Sequence, residues 1–131
     1  MISKDRYEEI GAQIVDAAYH VHRELGPGLL ESVYEICMIE ELKDRGLFVE
    51  NQVRIPVFYK GKELKKDFIV DILVEDLIII ELKAVEDLLP VHEVQLVTYL
   101  KLADKHLGFL INFNVSLIKS GIKRKINGYI L

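Results

Sequence analysis

The sequence predicts a mixed α/β fold, an α+β arrangement in which helices cover a mixed sheet, from three observations. Apolar residues keep helical spacing through the first 45 positions, short β-like runs with turn residues follow, and the pattern returns to helix after Pro90. Between residues 5 and 25, Ile10, Ile14, Ala17, Ala18, Val21 and Leu25 recur at that spacing, and Asp5 followed three residues on by Glu8 has the form of a capping box. Gly26-Pro27-Gly28 stops this helix. A second is predicted over about 30–45, with Val33, Cys37 and Leu42 on its apolar side and Gly46 closing it. Residues 48–59 are β-like and Lys60-Gly61-Lys62 marks a turn. Residues 66–74 and 78–83 then form two strands around an acidic turn at Glu75 and Asp76, completing a three-stranded meander. The helix after Pro90 is expected to bury Val91, Val94, Val97 or Thr98, and Leu102. Residues 107–113 read as a strand, and 126–131 are a candidate for one more. No repeat or linker interrupts the order, so a single domain over 1–131 is expected.

Bulk properties narrow the function classes. Half of the 131 residues are hydrophobic, enough for one packed core, and no apolar run approaches the roughly 20 residues that span a bilayer. The opening Met-Ile-Ser-Lys-Asp-Arg lacks the form of a signal peptide, so a soluble cytoplasmic protein with no membrane partner is expected. The single cysteine, Cys37, fits a reducing compartment and a small core residue better than a nucleophile. A net charge of -4 gives no overall cationic field for a polyanion. Two local clusters could meet one: Lys60, Lys62, Lys65 and Lys66 around a turn, and Lys119, Lys123, Arg124 and Lys125 near the C-terminus. Each reads equally well as a solvated edge that discourages strand aggregation. A G-x-S-x-G elbow, a phosphate-cradling glycine loop and Cys/His pairs at ligand spacing are all missing, which leaves serine-hydrolase, nucleotide-kinase and zinc readings without support. His20 and His22, two apart on a helix, point to different faces and do not form a chelating pair.

The stretch VDILVEDLIIIELK carries the chemistry. Residues 68–74 are apolar on both alternating sides, with Phe68, Val70, Ile72 and Val74 on one, and Ile69 and Leu73 beside Asp71 on the other. A carboxylate in a strand covered on both sides must be paired, protonated or bound to a metal. Glu81 and Lys83 are two apart and share a strand face. With a three-residue acidic loop, Val74 faces Ile78 and Asp71 comes opposite Glu81, at Cβ distances of about 5 Å. Two carboxylates that close repel unless a cation lies between them. The pair therefore suits a hard divalent ion, Mg²⁺ or Mn²⁺, to which the Leu82 carbonyl would add a ligand, with Lys83 supplying further positive charge. The plainer alternative is a structural ion pair at a strand end.

Asp71 followed by Glu81-Leu82-Lys83 on consecutive strands between helices resembles the PD-(D/E)xK nuclease superfamily, which shares a restriction-endonuclease-like core. Upstream, Gly28-Leu29-Leu30-Glu31-Ser32-Val33-Tyr34 spells G-x-x-E-x-x-Y, and the chain resembles the small GxxExxY proteins placed in that superfamily, from the first helix to Leu110-Ile111-Asn112-Phe113-Asn114. It departs from the signature at Val70, where proline often stands. The resemblance implies that Asp71, Glu81 and Glu31 are metal ligands and that Lys83 is the catalytic lysine. Glu31 also sits early in its helix, where unpaired amides and the helix dipole favour a carboxylate in any case. Tyr34, one turn on, packs or hydrogen-bonds Glu31. Gln95 and Tyr99, at i and i+4, are similar to the Q-x-x-x-Y motif of RecB-type members, where these residues help position a nucleic-acid strand. His92, three residues before Gln95, would contact phosphate or cap the helix.

The function expected is a metal-dependent phosphodiesterase acting on nucleic acid, DNA ahead of RNA. The alternative is a nuclease-like binding module without turnover that assists a protein partner. Self-association is left open by the sequence.

Overall fold

The computed structural model describes residues 2–128. In chain order it contains α1 (Lys4–Leu25), α2 (Glu31–Asp44), β1 (Val49–Tyr59), β2 (Lys62–Val74), β3 (Ile78–Lys83), α3 (Pro90–Ala103), β4 (Leu107–Asn112), a 3-10 turn (Ile118–Gly121) and β5 (Ile122–Ile126). The five strands form one sheet in the order β1-β2-β3-β4-β5. Strands β1, β2 and β3 make the antiparallel meander, and β5 returns antiparallel to β4. Strand β4 is parallel to β3, so the connection between them must cross over the sheet, and α3 makes that crossing. This mixed α+β sheet is consistent with the restriction-endonuclease-like core that the sequence resemblance implies. No helix among the described residues is long and apolar enough to cross a membrane.

Two apolar layers flank the sheet. On one face α1 and α2 pack through Ile10, Ile14, Tyr34, Met38 and Leu42 onto Ile72, Ile78, Ile80, Phe109 and Ile111. On the other, Leu96 and Leu100 of α3 cover Val70, Leu73, Ile79 and Leu110. The inner strands are thus buried on both sides, as uninterrupted apolar runs such as Ile78-Ile79-Ile80 require. Helix α3 lies close to the sheet at Gly108, where a Cβ would come within 2.9 Å of Leu96 Cδ1 and 3.2 Å of the Ile79 carbonyl oxygen. The absent side chain is what seats the two leucines.

Several details differ from the sequence pattern. The buried side of α3 is Leu96 and Leu100 flanked by Tyr99 and Ala103, whereas Val91 and Val94 are each 62% exposed and Leu102 is also outside. In α2 the buried line is Tyr34, Met38 and Leu42, with Val33 and Cys37 only half-buried. Ser3, not Asp5, caps α1: its Oγ accepts from the Arg6 amide at 3.2 Å. Strand β2 begins four residues earlier than expected, and the last strand lies over Ile122–Ile126. Residues 129–131 of the expected 126–131 strand are outside the described residues.

The alternation expected along 68–74 breaks at Asp71. Phe68 and Val70 pack with Leu73 on the α3 side, while Ile72 and Val74 face α1 and α2. Gln52, flanked by the pairs Asn51↔Ile72 and Val53↔Val70, has a left-handed φ of 52° at the same level. The ribbon is therefore kinked at the point where Asp71 stands.

Candidate active site

The site lies in a fork of the sheet. The loop 75–77 has the three residues the sequence suggests, and β2 pairs with β3 through Val74↔Ile78, Leu73↔Ile79 and Ile72↔Ile80. The ladder then stops. One step further along this register Asp71 meets Glu81, and side chains replace the backbone pairing: the Asp71 amide donates to Glu81 Oε1 at 3.1 Å, and the Leu82 amide donates to Asp71 Oδ2 at 2.8 Å. Strand β2 continues with β1 as far as Lys62, so β3 parts from it at the acidic pair. Each carboxylate thus satisfies an amide that the parting strands leave unpaired.

Burial and the neighbouring carboxylate set the electrostatics at the fork. Glu81 is only 8% exposed, and burial, followed by the charge of Asp71, raises its carboxyl to about 9. Hydrogen bonding between the two carboxyls adds to the rise, and the Asp71 amide and Lys83 oppose it. Lys83 is half-buried at the end of β3, beside Asn112 of β4. Asn112, itself buried, fixes the segment that follows: its side chain accepts from the Val85 amide and donates to the Val85 carbonyl. The lysine is accordingly placed by a clamped backbone.

From the opposite layer, α2 brings acidic charge. Glu31 is the first residue of α2, and partial desolvation, then Asp71, push its carboxyl up while Lys83 pulls it down. Glu35, one turn on, is pushed up by desolvation and then by Asp71, against a 2.8 Å hydrogen bond from Gln52. Sequence reasoning missed Glu35 and Gln52. The i, i+4 spacing of Glu31 and Glu35 was the available signal for the first; nothing in the sequence marked the left-handed Gln52.

The rest of the G-x-x-E-x-x-Y stretch sets the start of α2. Tyr34 is fully buried and stacked on Phe113, with ring centroids 4.5 Å apart. Its hydroxyl donates to the Gly26 carbonyl at 2.6 Å and accepts from the Leu29 amide at 3.1 Å. The tyrosine therefore staples the loop containing Gly28, whose φ is 98°, to the core and so fixes where Glu31 begins its helix. Its hydroxyl bonds this loop, not Glu31.

On the α3 side, Tyr99 stacks on Phe68 at 4.3 Å, and its phenol is raised by desolvation, then by Glu81 and Asp71. This places the ring within the field of the acidic pair, with one face already covered. Gln95 is exposed one turn earlier. His92 Nδ1 accepts from the Leu89 amide at 3.0 Å and caps α3. Neither Gln95 nor His92 is hydrogen-bonded to the pair among the described residues.

The donor set fits a hard divalent cation, since it consists of carboxylate oxygens whose mutual repulsion a cation would relieve. Among the described residues, no three His, Cys, Asp or Glu side chains are close enough to make a ready cation cage. The chain offers a pair, with Glu31 and Glu35 near enough to feel its charge.

The sequence model of the PD-(D/E)XK nuclease superfamily matches residues 8–125. A search of curated protein sequences gives no match. Among solved structures the chain is similar to one titled "Crystal structure of SSO0001", at 22% identity and a TM-score of 0.51, over 98% of this chain and 62% of that one. The chain thus spans less than two thirds of that structure's length, and the likeness is one of fold.

Proposed function

We propose that this chain, which belongs to the PD-(D/E)XK nuclease superfamily, is a divalent-metal-dependent nuclease that hydrolyses phosphodiester bonds of nucleic acid, with DNA as the first substrate to test. The observation that carries the reading is the fork in which Asp71 and Glu81 each bond the other strand's backbone, with Lys83 two residues along. The finer placement among the GxxExxY proteins rests on Gly28, Glu31 and Tyr34, and the whole of 1–131 is read as one nuclease domain.

In this reading Asp71 and Glu81 hold Mg²⁺ or Mn²⁺, and Glu31 completes the acidic cluster from α2. When bound, the ion supplies Lewis-acid polarisation of a phosphoryl oxygen and lowers the pKa of water. Burial and the charge of Asp71 favour a protonated Glu81 in the metal-free chain, so a cation held at this pair would compete with that proton. Lys83, placed by the Asn112 clamp, stabilises the negative charge that develops on the phosphoryl oxygens. Tyr99, Gln95 and His92 lie on the helix that would flank the strand being cut, with Tyr99 holding the wall through Phe68.

The test is cleavage of labelled single-stranded, duplex and branched DNA, and of RNA, with Mg²⁺ or Mn²⁺ and a chelator control. Wild type should cut at least one of these substrates. Lys83→Ala should keep metal and nucleic-acid binding within about tenfold but slow cleavage by a factor on the order of 100 or more. Binding without cutting, unchanged in Lys83→Ala, would replace this reading with that of a non-catalytic binding module.

A further inference from the structure

Outside the fork, β1 and β2 run on as a two-stranded arm, and its residues are unlike the rest of the surface. Over 54–67 the arm carries five cationic side chains, Arg54, Lys60, Lys62, Lys65 and Lys66, against Glu63 and Asp67, in a chain whose net charge is -4. All residues of 58–67 are exposed. Asp67 engages Arg54 at 3.5 Å, while the four lysines form no ion pair among the described residues. The second basic cluster is quite different: Arg124 bonds Glu8 at 2.8 Å and Lys125 bonds Glu93 at 2.7 Å, tying β5 to α1 and α3. Those charges hold the fold together, and the arm's lysines do not.

Two further features point outward. Phe58 and Tyr59, adjacent near the tip, are 55% and 62% exposed, with Lys60 Nζ 5.5 Å from the centre of the Tyr59 ring. The ladder also skips between Pro56↔Asp67 and Phe58↔Glu63, so that Leu64, Lys65 and Lys66 face Val57 alone and bulge from the ribbon. Such a bulge re-aims side chains away from the pleat. From Asp71 to Lys62 the strand extends about 30 Å, roughly the run of nine phosphates along one strand of a duplex.

We propose that this arm is the chain's nucleic-acid grip: Lys62, Lys65 and Lys66 follow the phosphates of the strand that enters the Asp71–Glu81 fork, and Tyr59, directly opposite Lys62 and so on its face, stacks on its unpaired bases. The preferred substrate therefore carries a single-stranded segment next to the cut. This rests on the nuclease reading for what happens at the fork, but the grip acts without metal. Lysine charge supplies affinity that falls with salt, and exposed rings add stacking to any base that is not already paired.

The experiment uses the full chain carrying Asp71→Ala, in chelator, with fluorescence anisotropy of labelled single-stranded and duplex oligonucleotides across a salt series. Combined Lys62→Ala, Lys65→Ala and Lys66→Ala should weaken single-strand binding at least tenfold and lower the logarithmic salt slope by about 2. Tyr59→Ala should weaken single-strand binding at least fivefold and leave duplex binding within twofold, and Phe58→Ala, on the opposite face, should change neither by more than twofold. Lys119→Ala with Lys123→Ala, outside the arm, should change neither, and all variants should melt as the parent does. Single-strand binding that survives the arm's lysine and Tyr59 substitutions overturns the proposal, whether or not wild type cuts, and so does an absence of binding in the parent. Binding that depends on the arm in a protein that never cleaves supports the grip and removes the nuclease reading alone.

Discussion

The two halves of β2 obey different physics. From Val70 to Val74 the strand lies between two apolar layers, whereas from Lys62 to Asp67 every residue is exposed. Asp71 stands at the change, where β3 leaves and the ribbon kinks. The buried half can hold a carboxylate in a fixed place because packing determines the backbone; the exposed half has only its ladder, and is free to meet a ligand. The contrast teaches that a site built at the edge of a core takes rigidity from one side and access from the other. It also makes claims that substitutions can break.

The largest difference is expected in cleavage. Asp71→Ala should lower single-turnover cleavage by a factor on the order of 100 or more, whereas the combined lysine substitutions in the arm should raise KM and leave kcat within about threefold. Equal losses of kcat in both halves would erase the distinction between chemistry and grip. Stability should divide the strand the same way. Ile72→Ala should cost about 2 to 5 kcal/mol in urea unfolding, and Leu64→Ala no more than about 0.5 kcal/mol. Helix α3 gives a parallel pair: Leu96→Ala should be as costly as Ile72→Ala, and Val91→Thr nearly silent.

A smaller effect concerns Glu81, and its sign follows from the raised carboxyl. A group whose folded pKa lies above its unfolded value contributes stability that is fully present below the unfolded pKa and is lost as pH rises through the folded one. In the metal-free chain, stability should therefore decline from about pH 4.5 toward pH 9 through this residue. Glu81→Gln should match wild type near the acid end of that window and exceed it in denaturant midpoint at pH 8, measured in chelator. A variant less stable than wild type at pH 8 would mean that Glu81 is well served as an anion. A similarly small effect should come from Tyr99→Phe, which keeps the ring on Phe68 and is expected to change the unfolding free energy by no more than about 0.5 kcal/mol in urea denaturation.

Much of the centre of the fold was legible. Asp71 and Glu81 stand out because ionisable residues seldom interrupt runs such as Ile78-Ile79-Ile80, and the turn after Val74 sets their register. Helix α1 was equally plain, since its apolar positions form one stripe. Helix α3 was not, because Val91, Val94, Leu96, Val97, Leu100 and Leu102 surround it with apolar side chains and leave periodicity without a phase. Space over Gly108 selects Leu96 and Leu100, and that is a tertiary fact. The arm's length escaped for the opposite reason: Lys62 to Lys66 bury nothing, so no hydrophobic alternation records that they are a strand. Gln52 and the break in alternation at Asp71 follow from β3 diverging, which no single segment encodes.

The central claim is that the fork binds a divalent cation through Asp71, and titration of Mn²⁺ by calorimetry at pH 8 tests it most directly. Wild type should give a saturable binding isotherm, Asp71→Ala should give none while remaining folded, and the triple lysine variant of the arm should bind as wild type does. Mn²⁺ affinity unchanged in Asp71→Ala would contradict the account at its foundation.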